Sequence, residues 1–312
     1  MFVIADGHLK KTGLKTTDIT AEFDRMISDA KDFILISGYS FTRPKNVNSV
    51  LNKIIKSKVK HKHCILPIKL FGNKDVNRPI AIELIKNGIS VSIEEHNHSK
   101  WLMTDKEIYY GSANFSLHSL SSKIEVISFK DFLKGDLLQK EFLKFTEQSM
   151  NRMKSISLRN NVRGVIVKNK KLIDQTKPLV KRFNPSIEKV ISTVDSINKV
   201  NSNILEVASN NFWFLEEKEY DNLVRTVASY SSLIQSINYF GTSILRLNEI
   251  GKDYDKKIES YNRYCDKFQN LFSEYLPITE NLLNKESKIP EFTRENRQIT
   301  SKNIVMLKEN WL

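Results

Sequence analysis

Residues 98–114 read HSKWLMTDKEIYYGSAN, and this stretch decides how the first half of the chain is interpreted. Side chains alternate between the two faces of an extended strand, so His98 and Lys100 share one face while Trp101 and Met103 share the other. We therefore expect the polar pair to line a site and the apolar pair to enter a hydrophobic core.

A second short apolar run, residues 108–110, ends directly before GSAN. If these residues form a strand beside the first, Ser112 and Asn114 arrive at the same place as the histidine and lysine. Gly111 lacks a Cβ atom and would let the backbone approach a phosphate closely. Glu125 falls on the next predicted strand, KIEVI at residues 123–127. The sequence thus predicts one polar cluster built from neighbouring strands.

The pattern HxK, four residues, D and then GSxN resembles the signature of the phospholipase D superfamily. Six positions match it in order: His98, Lys100, Asp105, Gly111, Ser112 and Asn114. The resemblance covers about residues 1–150 and includes ILISGYSFT at residues 34–42, which looks like the family's early strand and turn. One departure is Lys123, which stands where family members often carry an asparagine two positions before the glutamate.

The resemblance implies a role for each member of the cluster. Neutral His98 would attack phosphorus through Nε2 and form a covalent phosphohistidine that water later hydrolyses. Lys100 and Asn114 would hold the phosphate oxygens, and Ser112 would add a hydrogen bond. Glu125 would accept the Nδ1 hydrogen of His98 and so fix the tautomer that exposes Nε2. Phosphodiester hydrolysis of this kind needs neither a metal nor a cofactor.

The resemblance also implies an assembly. The mechanism uses two histidines, one attacking and one protonating the leaving group, yet the chain has one complete motif. Members of the family with a single motif pair across a two-fold axis, so we expect a homodimer through the catalytic domain. The two imidazoles would then titrate as a coupled pair. Asp105 and Gly111 belong to the signature with mainly structural roles.

Composition favours a polyanionic partner. The 312 residues carry a net charge of +13, with a pI near 9.5. From Arg43 to Arg78 there are ten Lys or Arg and a single acid, Asp75, and a second acid-free run extends from Arg152 to Lys171. Clustered cations bind nucleic acid by releasing condensed counterions, so DNA is the expected substrate.

The remaining features favour a soluble, cytoplasmic protein without a membrane partner. No apolar run approaches the length of a membrane helix, and the first residues lack the pattern of a secretory signal. The two cysteines, Cys64 and Cys265, match no metal-ligand spacing or disulfide framework.

The first 150 residues alternate short β-rich runs with amphipathic segments, which predicts an α/β domain with a mixed sheet flanked by helices. The predicted strands are Phe33–Ser37, Cys64–Leu70, Ile89–Ile93, Trp101–Thr104, Ile108–Tyr110 and Ile124–Phe129. Helices are predicted around Ile19 to Ile27, Val50 to Ile55 and Ile82 to Ile85. A basic linker at residues 151–177 follows.

Residues 178–312 are predicted to form an all-α bundle or coiled-coil domain, because apolar residues recur every seven positions. Their columns include Ile187 to Asn201, Val190 to Ile204, Tyr230 to Ile244, Leu233 to Leu247, Tyr254 to Tyr275 and Ile258 to Phe272. Pro277 and Pro290 are expected to interrupt the pattern before a last helix near Arg294–Leu307. Aromatic residues at such positions are expected in the core rather than as a platform for stacking bases.

Several alternatives stay open. His96-Asn97-His98 matches the letters of a metal-dependent nuclease motif, and His61, His63, Cys64 and His96 could in principle bind zinc. A lipid phosphodiesterase of the same superfamily would use the same chemistry, and a non-catalytic nucleic-acid-binding assembly protein would only hold phosphates. The helical half could recognise DNA, restrain the nuclease or bind a partner such as a DNA-translocating ATPase. An undirected nuclease endangers its host, which indicates a place in restriction or antiviral defence.

Overall fold

A mixed seven-stranded sheet organises the first of two structural units. The computed structural model describes residues 2–5, 19–71, 74–122, 125–156, 205–206, 208–209, 211–246, 252–284 and 289–312. Unit 1 comprises residues 1–69, 76–156 and 291–312, and unit 2 comprises residues 70–75 and 157–290. The predicted α/β architecture followed by a helical region is confirmed.

The strands in the described ranges, including a two-stranded hairpin in unit 2, are β1 (Phe2–Ala5), β2 (Phe33–Ser37), β3 (His61–Leu66), β4 (Leu70–Phe71), β5 (Lys74–Asp75), β6 (Ser90–Ile93), β7 (Trp101–Thr104), β8 (Glu107–Gly111) and β9 (Glu125–Asp131). The helices are α1 (Ile19–Asp29), α2 (Val50–Lys56), α3 (Arg78–Lys86), α4 (Leu117–Ser122), α5 (Leu137–Ser155), α6 (Glu217–Arg246), α7 (Lys252–Asn284) and α8 (Glu291–Asn310).

The sheet has the order β1-β9-β8-β7-β2-β3-β6. The pairs β2/β3 and β3/β6 are parallel, whereas β2/β7, β7/β8, β8/β9 and β1/β9 are antiparallel. Because β2, β3 and β6 run the same way, their carboxyl ends meet at one edge of the sheet, where α/β proteins commonly place their sites. The segment that contains His98 begins at this edge, directly after β6.

Both faces of the sheet are covered, as the continuously buried run of β2 requires. On one face, Phe23 of α1 packs edge-on against Tyr109, with ring centroids 4.7 Å apart. On the other face, Trp101 and Met103 join a core cluster with residues of α5 and α8. The predicted inward orientation of Trp101 and Met103 is therefore confirmed.

The C-terminal helix α8 lies in unit 1, although the sequence assigned residues 178–312 to one helical domain. The helix packs along the edge strand β6, where Asn296 pairs with both backbone groups of Val91, accepting from its N–H at 2.7 Å and donating to its C=O at 2.8 Å. Two helical turns further on, Asn303 donates to the Lys62 carbonyl at 2.9 Å. Asn296 thus satisfies backbone groups that the edge strand β6 would otherwise leave open, and Asn303 bonds to the neighbouring strand β3.

Unit 2 is helical in its described part and also holds the hairpin β4/β5. The buried phenol of Tyr220 in α6 donates to the Asp75 carboxylate of this hairpin at 2.6 Å. Helices α6 and α7 pack through aromatic rings, with the centroids of Tyr230 and Phe268 4.1 Å apart. Tyr230, Tyr261 and Phe268 are buried, which places them in the core and not on a surface for stacking bases.

Several element bounds differ from the prediction for local reasons. Strand β3 ends at Leu66, because Pro67 cannot donate to the ladder, and Leu70 begins the separate hairpin. Pro277 lies inside α7 instead of ending it, at an exposed position of the helix. Helix α5 extends to Ser155, into the proposed linker. Residues 157–204, with the columns from Ile187 and Val190, lie outside the described residues.

Candidate active site

His98 and Lys100 lie in the segment between β6 and β7, not within a strand as the alternation had predicted. Strand β7 begins only at Trp101, because residues 97–99 turn around the Asn97 side chain and only Lys100 keeps a backbone hydrogen bond to β8, from Gly111. His98 is exposed and Lys100 half-buried, so both side chains reach the carboxyl-terminal edge of the parallel strands. The polar pair is thus separated from the core, as expected, but by a turn.

The ammonium of Lys100 contacts the histidine directly. Its Nζ lies 3.1 Å from Nδ1 of His98 and also donates to the His98 carbonyl at 2.8 Å. A lysine ammonium can only donate, so in this arrangement Nδ1 accepts and the hydrogen of the neutral ring stands on Nε2. This is the opposite of the tautomer that the resemblance implies for attack through Nε2.

A buried asparagine that the sequence analysis did not single out holds this segment. The Oδ1 atom of Asn97 accepts from the Ser99 N–H at 3.1 Å and from the Ser99 hydroxyl at 2.5 Å. Its Nδ2 group donates to the Ser37 hydroxyl at 3.0 Å and to the Ile65 carbonyl at 3.3 Å. Asn97 therefore ties the histidine segment to the ends of β2 and β3.

The start of the same segment is fixed by α5. The Glu94 carboxylate accepts from the Ser149 hydroxyl at 2.6 Å and from Nη2 of Arg152 at 2.6 Å. The Asn97 N–H in turn donates to the Glu94 carbonyl at 3.0 Å. Residues 94–99 are consequently anchored at both ends, which presents His98 on a supported turn rather than on a long loop.

The GSAN segment is joined to the histidine segment by the backbone. The Gly111 N–H donates to the Lys100 carbonyl at 3.2 Å, so the end of β8 lies beside the start of β7. A Cβ atom on Gly111 would stand 2.5 Å from the Val126 carbonyl oxygen. The glycine is therefore required by the close approach of β9. The sequence alone had suggested a different reason, the approach of a phosphate.

Ser112 and Asn114 follow at this corner. The exposed Ser112 accepts the Val126 N–H on its hydroxyl at 3.0 Å and returns its own N–H to the Val126 carbonyl at 2.9 Å. The Asn114 N–H donates to the Ser119 hydroxyl at 3.1 Å, and its side-chain Oδ1 is buried without a hydrogen bond from any described residue. Ser112 directly follows the Gly111 that bonds to Lys100, and the Oδ1 atom of Asn114 remains an acceptor without a partner among the described residues.

The other two motif residues lie elsewhere or are only partly described. Asp105 is almost fully buried, and its Oδ1 accepts the backbone N–H groups of Lys31 and Asp32 at 2.8 and 3.2 Å, which holds the turn before β2. The Glu125 backbone opens β9 opposite Ala5, next to the Val126 that binds Ser112. The Glu125 side chain and Lys123 lie outside the described residues.

The histidines considered for zinc have other contacts. The ring nitrogens of buried His63 lie 2.7 Å from the Ser90 hydroxyl and 3.0 Å from the Ser92 hydroxyl, and burial lowers its pKa to about 3. Nδ1 of His61 lies 3.0 Å from Oδ1 of Asn303. Within the described ranges, no three His, Cys, Asp or Glu side chains are grouped to hold a metal. Among the same residues, no helix combines the length and apolar character of a bilayer span.

Neither a family model nor a curated protein matches the sequence. Among solved structures, the chain is similar to Nuc, a phospholipase D family member from Salmonella typhimurium, with 16% identity over 48% of this chain and 94% of that one and a TM-score of 0.38. NucT from Helicobacter pylori aligns with 18% identity over 46% and 91% of the two chains, at a TM-score of 0.34. The archaeal chromatin protein TrmBL2, described with a novel mode of DNA binding, aligns with 17% identity over 47% and 53%, at a TM-score of 0.31. Over somewhat less than half of its length, the chain is thus similar to structures that include a phospholipase D family member.

Proposed function

We propose that this chain is a metal-independent phosphodiesterase, an endonuclease that cleaves DNA through a phosphohistidine formed on His98. The observation that carries the proposal is the contact between an exposed imidazole and an ammonium 3.1 Å away, at a sheet edge that also receives the GSAN segment. A nucleophile and a cation for the non-bridging oxygens are the groups that phosphoryl transfer demands of a protein.

The first step requires a rearrangement of the pair. When a phosphodiester arrives, the Lys100 ammonium turns from Nδ1 of His98 to a phosphate oxygen. The ring then takes the tautomer with its hydrogen on Nδ1, which donates a hydrogen bond to the Glu125 carboxylate, and the unprotonated Nε2 becomes the nucleophile. Asn114 donates to a second phosphate oxygen, and Ser112 supports the corner of the strand that carries it.

The covalent step forms a bond between Nε2 and phosphorus as the bond to the leaving oxygen breaks. The leaving oxygen takes a proton from His98 of the partner subunit. Water then attacks phosphorus, the N–P bond breaks, and the water's proton returns to the partner's His98. One chain supplies one complete motif, so two copies related by a two-fold axis complete the site.

The test combines a chelator with a matched variant. Purified protein is incubated in excess EDTA with single-stranded DNA, duplex DNA, RNA and phosphatidyl lipid vesicles in separate reactions, beside His98→Ala and His96→Ala. We expect DNA cleavage by the wild type and by His96→Ala, and none by His98→Ala. Cleavage that depends on added divalent metal, that persists in His98→Ala, or that occurs on lipid alone contradicts the proposal.

The homodimer is tested by mixing. Inactive His98→Ala is titrated into wild-type protein and the subunits are allowed to exchange. If each cleft needs one histidine from each copy, the activity per wild-type chain should fall in proportion to the mixed dimers that form. Acid-quenched reactions should also trap a labelled phosphohistidine on wild-type chains. Activity that simply adds up from the wild-type chains present contradicts a shared site.

We propose in addition that the protein belongs to a restriction or antiviral system and has a DNA-translocating ATPase as its partner. They rest on the hazard that an unregulated nuclease poses and on the helical unit that accompanies the α/β unit. Loss of phage resistance in cells that express His98→Ala in place of the wild type would support that role.

A further inference from the structure

Lys69, Tyr39 and His98 lie in a row at the edge of the sheet that carries the candidate active site. The Lys69 Nζ lies over the Tyr39 ring, 4.6 Å from its centroid. The Tyr39 ring also packs against the His98 imidazole, with centroids 4.8 Å apart and planes tilted by 47°. A second cation is therefore held beside the proposed nucleophile, with one aromatic ring between them.

The backbone on both sides of this row is fixed. The Lys69 carbonyl accepts the Val76 N–H at 2.9 Å, and the Pro67 carbonyl accepts from the Asn77 side chain at 2.9 Å. Tyr39 follows Gly38, where a Cβ atom would stand 2.7 Å from Phe41 and 2.8 Å from Phe115. Lys69 is thus held in place by its loop instead of extending from a free surface.

The surroundings favour an anion. Partial burial lowers the pKa of Lys69, so its charged form has lost hydration that a phosphate oxygen could replace. The loops after β2 and β3, residues 38–49 and 67–69, contain Arg43, Lys45 and Lys69 but no acidic residue; the loop after β6 adds Glu94, which is paired with Arg152, and Glu95. Because Tyr39 is already in contact with Lys69 and His98, its ring acts as a spacer and not as a platform for a base.

We propose that Lys69 binds the phosphate next to the one that His98 attacks, so that the site grips a polynucleotide through two successive phosphates. This inference rests on the proposed function and names its substrate class: a ligand with a single phosphodiester can occupy only the first position. Tyr39 is a positioning residue that sets the separation of the two positions.

The test compares a short DNA strand with bis(p-nitrophenyl) phosphate, which has one phosphodiester. Binding of a fluorescent single-stranded oligonucleotide is measured against salt for wild type, Lys69→Ala, Lys69→Arg and Lys86→Ala, the last removing an equal charge from the exposed end of α3. Loss of one phosphate contact should lower the slope of log K against log salt by about 0.7, and weaken binding roughly fivefold at about 0.1 M salt. We expect both effects for Lys69→Ala. Lys69→Arg should restore the wild-type slope and affinity, and Lys86→Ala should change neither.

Hydrolysis separates this inference from the proposed function. Lys69→Ala should lose turnover of the oligonucleotide to a much greater extent than turnover of the single-phosphate ester. An unchanged salt slope, or equal losses on both substrates, overturns the role of Lys69. If the wild type shows the Lys69-dependent slope but hydrolyses neither substrate, the phosphate contact stands and the proposed nuclease function fails.

Discussion

The side-chain oxygen of Asn97 lies 2.5 Å from the Ser99 hydroxyl and also accepts the Ser99 N–H, so these two residues close a small turn around His98. The same asparagine reaches Ser37 and the Ile65 carbonyl across the ends of two strands. The proposed nucleophile, His98, is consequently positioned by the residue before it: the Asn97 side chain is buried, whereas the His98 side chain is exposed.

Asn97→Ala should lower kcat, because the turn that presents His98 loses its central hydrogen bonds. A displacement of the order of 1 Å at a reacting group can reduce the rate about 100-fold. We expect a fall of this size in kcat with KM for bis(p-nitrophenyl) phosphate nearly unchanged. The surface change Asn151→Ala on α5 is the matched control, and wild-type kcat in Asn97→Ala would exclude the positioning role.

Gly111→Ala should destabilise unit 1, because the new methyl group would stand 2.5 Å from the Val126 carbonyl oxygen. Strands β8 and β9 would have to separate, which typically costs about 1–3 kcal/mol for overpacking of this kind. Urea unfolding measures the loss, and the same shift should displace Ser112 from Val126 and reduce activity. A variant as stable as the wild type would show that the two strands can move apart freely.

Acid should destabilise the protein through His63. Its pKa falls from the ordinary value of 6.5 to about 3 because burial penalises the charged ring. Between these values the unfolded chain binds a proton that the folded chain does not, so stability is fully present above pH 6.5 and is lost as the pH falls toward 3. The slope from this group approaches about 1.4 kcal/mol per pH unit.

His63→Gln should therefore show a shallower loss of unfolding free energy between neutral and acid pH than the wild type. The change His96→Gln at the exposed position serves as control, because it leaves His63 in place and should preserve the wild-type slope. Chemical unfolding at a series of pH values gives both slopes. Parallel curves for His63→Gln and wild type would assign the acid sensitivity to other groups.

Asn296→Ala should loosen α8 from the sheet. The change leaves the N–H and C=O of Val91 without the amide that pairs with them at 2.7 and 2.8 Å. Unsatisfied buried backbone groups cost about 1–3 kcal/mol each, so the loss of both partners should lower the free energy of unfolding by about 2–6 kcal/mol. Hydrogen exchange at Val91 should accelerate, whereas Lys302→Ala on the exposed side of α8 should leave it unchanged.

The strands that build the site could be predicted because their periodicity is local. Burial of Trp101 and Met103 follows from the alternation of side chains, and every predicted strand overlaps an observed one. The turn at Asn97 could not be predicted, since its partners Ser37 and Ile65 are distant in sequence and nothing in Asn-His-Ser marks them. The same limit applies to Tyr39 and Lys69, which fall on separate loops.

The position of α8 was missed for a different reason. Its buried face includes Thr293, Asn296, Thr300 and Asn303, polar residues that a search for apolar periodicity reads as solvent-exposed. They are buried because an edge strand and neighbouring carbonyls supply hydrogen-bond partners. The domain boundary predicted at residue 178 thus marks only where the heptad pattern begins. The α/β unit resumes with residues 291–312, after that pattern ends.

This return of the chain has a consequence for biosynthesis. On the ribosome, residues 291–312 follow residues 1–156 only after the whole intervening segment has been made, so the sheet first emerges without α8. During that interval β6 has an open edge and the apolar face beside α5 is incompletely covered. The nascent chain would therefore complete the α/β unit only after the intervening segment has emerged.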